Sequence, residues 1–121
     1  MSEFASAVAP LGEDAALVEL VGEIGQLGAA DAAHELAEVG RQSYRRLVVD
    51  TTRADIQVAD VVSAIYDLAR SVRARDGLVA VVAPRAGELA QIIRATGLQA
   101  ALSLYETRND ALDDLGLPDP S

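Results

Sequence analysis

The sequence predicts an α/β domain built on a small mixed sheet, and three observations carry that prediction. Two short runs, Leu47-Val48-Val49 and Leu78 to Ala83, are continuously apolar, as strands buried on both faces must be. Between them lies a stretch of amphipathic helical spacing, which is the alternation that demands parallel neighbours joined by right-handed crossovers. Near the start, two weaker strand patterns flank Gly12-Glu13-Asp14, a turn-forming triplet that predicts one antiparallel hairpin.

Taken in order, Phe4 to Leu11 alternates weakly and predicts an edge strand. Ala15 to Val21 predicts its hairpin partner, with Glu19 on one face and Val18 and Leu20 on the other. Gly22, Gly25 and Gly28 are expected to break further regularity, and Asp31 to Gln42 then carries Ala32, Leu36 and Val39 near helical spacing, with Gly40 weakening the end. After the Leu47–Asp50 strand, a helix from about Ala59 to Arg75 sets Val61, Ile65, Leu68 and Val72 on one stripe, with Val62 and Ala69 beside it. Its other side carries Asp60, Ser63, Tyr66, Asp67, Arg70 and Arg73, and Asp76-Gly77 stops it. The Leu78–Ala83 strand ends at Pro84. A helix over Arg85–Ala95 turns Leu89, Ile92 and Ile93 inward and ends at Gly97. A short strand, Ala101–Tyr105, a helix, Glu106–Leu115, and a frayed tail over 116–121 complete the order β-β-α-β-α-β-α-β-α.

The chain has 121 residues, enough for one hydrophobic core and no more, so a single domain is expected, its core over about residues 15–115. Half the residues are hydrophobic but only 3% are aromatic, which leaves Ala, Val, Leu and Ile to fill the interior. A net charge of −9 argues against nucleic acid and anionic membrane surfaces, because phosphate repels it. With no cysteine there is neither a disulfide framework nor a thiolate metal site. No apolar run approaches the roughly 20 residues needed to cross a bilayer, so no membrane insertion is expected. The start, Met1-Ser2-Glu3-Phe4, lacks the basic and apolar regions of a signal peptide, and a cytoplasmic protein is expected.

Several stretches, in this order and spacing, resemble the STAS domain of bacterial anti-sigma factor antagonists. Val21-Gly22-Glu23-Ile24 is similar to that family's Gly-Glu-Leu, and Arg46-Leu47-Val48-Val49-Asp50 to its Arg-Leu-Val-Leu-Asp strand. Gly77 to Pro84 resembles its glycine, buried strand and proline, Ala95-Thr96-Gly97-Leu98 its Thr-Gly-Leu, and Tyr105 to Leu112 its closing helix. The resemblance covers about residues 15–115. It implies a mixed sheet of four to five strands with about four helices, mainly on one side.

It also implies a partner, a kinase-type anti-sigma factor, which in this family phosphorylates the first serine of Asp-Ser-Ser-Gly or Asp-Ser-Thr-Gly at the start of the second helix. Counted from Asp50 without a gap, that motif falls on Val58, Ala59, Asp60 and Val61. None of the four residues is retained. The phosphoacceptor position is Ala59, which has no hydroxyl, and the aspartate that often follows Gly-Glu-Leu is replaced by Gly25.

Two readings of Asp60 stand. As an early helix residue it accepts backbone N–H bonds and suits the helix dipole, at about 0.5–2 kcal/mol. Alternatively it is a fixed charge standing in for a phosphate on its neighbour, with about one charge against a phosphoserine's 1.5–2. Val61 would add bulk where the family's glycine lets a partner backbone approach. Ser63, the nearest hydroxyl on the exposed side, reads as polar surface, with a substitute phosphosite as the alternative. Thr51 and Thr52, directly after the strand, are expected to hydrogen-bond the turn. Tyr66 adds an aromatic of the kind enriched at interfaces.

His34, the single histidine, lies among Ala and Glu and reads as surface, with no second histidine or cysteine to complete a metal site. No nucleophile-elbow motif is present, and Gly22, Gly25 and Gly28 have the wrong spacing for a dinucleotide fingerprint. No enzyme activity, metal or cofactor is therefore expected. The expected function is a non-catalytic regulatory binding module. Its surface comprises the loop Arg53–Gln57 and the start of the next helix. Arg53, Asp55, Gln57 and Asp60 would give polar recognition there, around Ala59 and Ser63, while Val61 or Val62 and Tyr66 supply contact area. Two alternatives remain: a ligand-sensing or transporter-associated subunit, and a scaffold that pairs with other STAS or regulatory proteins.

Overall fold

The structure, a computed structural model, describes residues 4–97 and 102–119. Within them the chain runs β1 (Ala5–Pro10), β2 (Ala15–Ile24), α1 (Gln26–Arg41), β3 (Arg46–Ile56), α2 (Ala59–Arg73), β4 (Leu78–Val82), α3 (Glu88–Thr96), β5 (Ser103–Tyr105) and α4 (Arg108–Leu115). The strands form one sheet in sequential order, with β1 antiparallel to β2 and every later pair parallel. The predicted α/β class, hairpin and crossovers are all present.

Sequential order explains the layering. Three right-handed crossovers stepping the same way along a sheet must lay their helices on the same face. Accordingly α1, α2 and α3 bury Leu36, Ile65 and Ile93 against Val18, Leu47, Val49 and Val81. Only α4 returns over the opposite face, where Ala111 and Leu112 meet Leu17, Val48, Ala80 and Val82. The central strands are apolar on both sides because both sides are covered. Leu117 belongs to this second cluster, and its N–H donates to the carbonyl of Leu112 at 2.9 Å. The expected tail over 116–121 is thus ordered through Leu117, while residues 120 and 121 lie outside the described residues.

Three elements are longer than their patterns suggested. Strand β2 continues through Gly22, whose φ of 99° suits a residue without a Cβ, to Ile24, and α1 begins at Gln26 and runs through Gly28. Strand β3 continues six residues past Asp50. Glu19 pairs with Asp50 but Val21 pairs with Arg53, so one residue of β2, Leu20, opposes two of β3, Thr51 and Thr52. That is a β-bulge, and it exchanges the faces of everything after it. Before it, Leu47 and Val49 point to the helical core; after it, Ala54 and Ile56 do, leaving Arg53 and Asp55 on the open face.

At the other helix ends the sequence signals act as expected. Gly97 takes the left-handed conformation at the end of α3, with φ 77°. Residue 101 of the expected β5 and Leu98 of the Thr-Gly-Leu motif lie outside the described residues. At the end of α2 the positive φ belongs to Asp76, at 61°, not to Gly77. Gly77 is required for space: a Cβ there would sit 2.4 Å from the carbonyl oxygen of Arg45 and 2.5 Å from Val72 Cγ1. No helix among the described residues is long and apolar enough to cross a membrane.

Candidate partner-binding site at the β3–α2 junction

The bulge at Thr51-Thr52 sets the geometry of this site. It delivers Arg53 and Asp55 to solvent and buries Ile56 as the anchor of the strand end. Gln57 continues the ladder, its N–H donating to Ile24 O at 3.0 Å, and its side-chain amide donates to Asp55 Oδ2 at 3.1 Å. Arg53 and Asp55 therefore sit within a strand rather than in the loop expected over 53–57. Val58, extended at φ −135° and ψ 146°, is the N-cap of α2 and offers no side-chain cap. Ala59 is the first helical residue, exposed, with Asp60 exposed beside it.

Among the described residues nothing donates a hydrogen bond to the Asp60 carboxylate, so the capping role expected of it is absent. It acts instead as a free charge in the first turn, at the positive end of the helix dipole. A second expectation is also corrected. Val61 is 0% exposed and Val62 3%, both within the helical core, so neither supplies contact area to a partner. The bulk of Val61 fills the interior and does not block an approaching backbone. Ser63 is exposed one turn on, and Tyr66 is half-buried, with the Arg70 guanidinium 5.9 Å from its ring centroid. Arg53, Asp55, Gln57, Ala59, Asp60 and Ser63 are each exposed, Arg53 and Asp55 from the open face of the sheet and Asp60 and Ser63 from α2 on the helical side.

Thr51 holds the sheet, whereas Thr52 makes the local turn-type bonds expected of it. Thr51 is buried, and its hydroxyl donates to Val82 O at 2.7 Å, closing the place where β4 stops pairing. Thr52 donates from its N–H, at 2.9 Å, and its hydroxyl, at 2.6 Å, to Asp50 Oδ1.

Asp50 leads to a cluster that the sequence did not announce. Its other oxygen accepts from Arg108 Nε at 2.7 Å, and Arg108 Nη2 bonds Glu19 Oε2 at 2.6 Å. The Asp50 side chain is 3% exposed, which makes this the most buried ion pair of the described residues. These bonds raise the Arg108 pKa above its already high value, the hydrogen bond it donates to Asp50 first and the burial opposing it. Arg53 lines the same shallow cleft of about 260 Å³ as Arg108, Thr52 and Glu106, so the junction surface is continuous with this anchored corner of α4. The alternation that places Glu19 on the Leu17 face of β2 was the one local sign of it.

His34 is exposed on α1, and the described residues contain no group of three or more His, Cys, Asp or Glu able to hold a metal ion.

No protein-family model matches the chain, and no curated protein matches it in sequence. Solved structures do. An anti-sigma factor antagonist from Mycobacterium paratuberculosis superposes with a TM-score of 0.81 at 22% identity, covering 96% of this chain and 99% of that one. The Bacillus cell fate determinant SpoIIAA in its phosphorylated form gives 0.67 at 13% identity, over 92% and 99% of the two chains. A sulfate transporter family protein from Wolinella succinogenes gives 0.68 at 19% identity, over 91% and 89%. The chain therefore has the fold of the solved anti-sigma factor antagonists, the α/β fold of the STAS domain.

Proposed function

We propose that this chain is a regulatory binding module of the anti-sigma factor antagonist type, acting in bacterial transcription control without catalysis. It engages a kinase-type anti-sigma factor through the end of β3 and the start of α2. The observation that carries this reading is the split of side chains at the junction: Arg53, Asp55, Gln57, Ala59, Asp60 and Ser63 face solvent while Ile56, Val61 and Val62 are buried. A rigid strand end and helix start presenting polar groups on a fixed backbone suit recognition by another protein.

SpoIIAA, of the same fold, exists in a phosphorylated form. Here the position matching the family's phosphoacceptor is Ala59, exposed at the first helical residue, where no phosphoryl group can attach. Asp60 beside it is a permanent charge. Binding is accordingly constitutive, set by partner concentration and not by kinase activity at this position.

Co-purification with kinase-type anti-sigma factors from the same genome tests this. A complex weakened by Asp60→Ala or Arg53→Ala supports the reading, and no complex with any of them refutes it. Restoring Val58→Asp with Ala59→Ser should make the protein a substrate of that kinase. The second reading, a transporter-associated subunit, draws on the sulfate transporter family structure of the same fold, and capture by a permease rather than a kinase would favour it.

A further inference from the structure

The edge strand β1 is built unlike a protected sheet edge. Between Glu3 and Glu13 the sequence carries no charged residue, in a chain of net charge −9. Its pairing with β2 runs from Ala5↔Val21 to Pro10↔Ala16 without a bulge. Edges are ordinarily blunted by charge, bulges, shortness or cover, and β5 at the other edge is only three residues long. Val8, in the middle of β1, is 42% exposed.

The direction of the backbone groups can be read from the hairpin. Leu11 N–H donates to Ala15 O at 2.8 Å, which makes that pair a hydrogen-bonded one. Such pairs alternate along an antiparallel ladder, so Ala9, Ala7 and Ala5 also bond inward to β2. Ser6 and Val8 therefore present both N–H and C=O outward, and Pro10 falls where its missing N–H would have faced outward too. No backbone partner for these outward groups exists among the described residues.

We propose that β1 is a self-association edge: two copies pair antiparallel through β1 about a two-fold axis at Ala7, joining two five-stranded sheets into one. Only a register whose opposed residues share a face is allowed by a two-fold normal to the sheet, and centring on Ala7 meets that condition. It sets Ser6 of each copy opposite Val8 of the other, so that every outward N–H and C=O of both residues is paired. It also leaves Pro10 at the end of the ladder, where the missing donor costs nothing. A second copy is the fitting occupant because Ser6 and Val8 complement each other in this register and the strand between Glu3 and Glu13 carries no charge to oppose its own copy. Glu35 and Glu38 line the shallow cleft beside Val8, so the pairing is weak at low salt and tightens as ionic strength rises.

The sequence has no cysteine, which makes a single one a clean reporter. At the two-fold axis Ala7 faces its own copy in a non-hydrogen-bonded pair, with Cα atoms about 4.5 Å apart, within disulfide reach. Under mild oxidant Ala7→Cys should form a disulfide dimer on the order of tenfold faster than Ser71→Cys, an exposed control on α2. Analytical ultracentrifugation of the native chain should show a monomer–dimer equilibrium that shifts to dimer with added salt. Val8→Pro removes an outward N–H that bonds nothing in the monomer, and should abolish the dimer while leaving the circular dichroism unchanged. A native chain that stays monomeric to about 1 mM, or an Ala7→Cys chain that crosslinks no faster than the control, overturns the proposal. So does a folded Val8→Pro chain that still dimerises.

Discussion

Replacing Arg108 with Met removes the charge that ties α4 to the sheet and keeps most of the side chain's apolar stem. Arg108 bonds Asp50 at 2.7 Å and Glu19 at 2.6 Å, and the Asp50 side chain is 3% exposed against 25% and 23% for Arg108 and Glu19. An exposed pair would contribute about 0–1 kcal/mol, whereas removing one partner of a buried pair costs about 3–5 kcal/mol, because a charge is left uncompensated. Asp50 is buried but keeps two hydrogen bonds from Thr52, so the lower end of that range applies, about 3 kcal/mol. For a chain of 121 residues that corresponds to a fall in Tm of about 12 °C. Urea unfolding followed by circular dichroism measures it. Adding Asp50→Asn to Arg108→Met removes the stranded charge and should recover part of the loss. A loss below about 1 kcal/mol for Arg108→Met would refute the reasoning and show the cluster to be screened like a surface bridge.

Three further outcomes follow from single sites. Tyr105 donates its hydroxyl to Asp114, and that bond, aided by burial, pushes its pKa up to about 12 from an ordinary 10. The folded chain therefore holds this proton where the unfolded chain has lost it, so the stabilisation is complete below pH 10 and disappears as pH approaches 12. Tyr105→Phe should flatten that part of the stability–pH curve. Gly77→Ala forces a Cβ against the Arg45 backbone and should cost about 2–3 kcal/mol in urea unfolding. Val61→Ala should cost about 2 kcal/mol by opening the core, yet leave partner affinity within about twofold, because Val61 touches no solvent.

The fold was readable where apolar patterning was strong. Leu47–Val49 and Leu78–Val82 are continuous runs because helices cover both faces, and the stripe Val61-Ile65-Leu68-Val72 is the buried side of α2. The extension of β3 was not readable, because Thr51 to Asp55 is polar and the bulge destroys its alternation. Its strand character comes from pairing with β2, a contact no local window contains. The start of α1 was hidden for a related reason: Gly25 is its N-cap, with no side-chain acceptor, and Gly28 lies inside the helix. At the junction, the residue types were read correctly and their directions were not, since Val61 and Val62 were given to the core and to the partner at once. The Arg108–Asp50–Glu19 cluster joins residues 58 and 89 positions apart, and only the folded chain brings them together.

The proposal that the junction is kept as a surface and lost as a switch turns on one comparison. The affinity of the cognate kinase-type anti-sigma factor for this chain, measured by titration calorimetry, should be the same before and after incubation of the two with ATP, and should fall on Asp60→Ala. Loss of binding after ATP, with a phosphoryl group found on Thr52, Ser63 or any other residue of this chain, would contradict it.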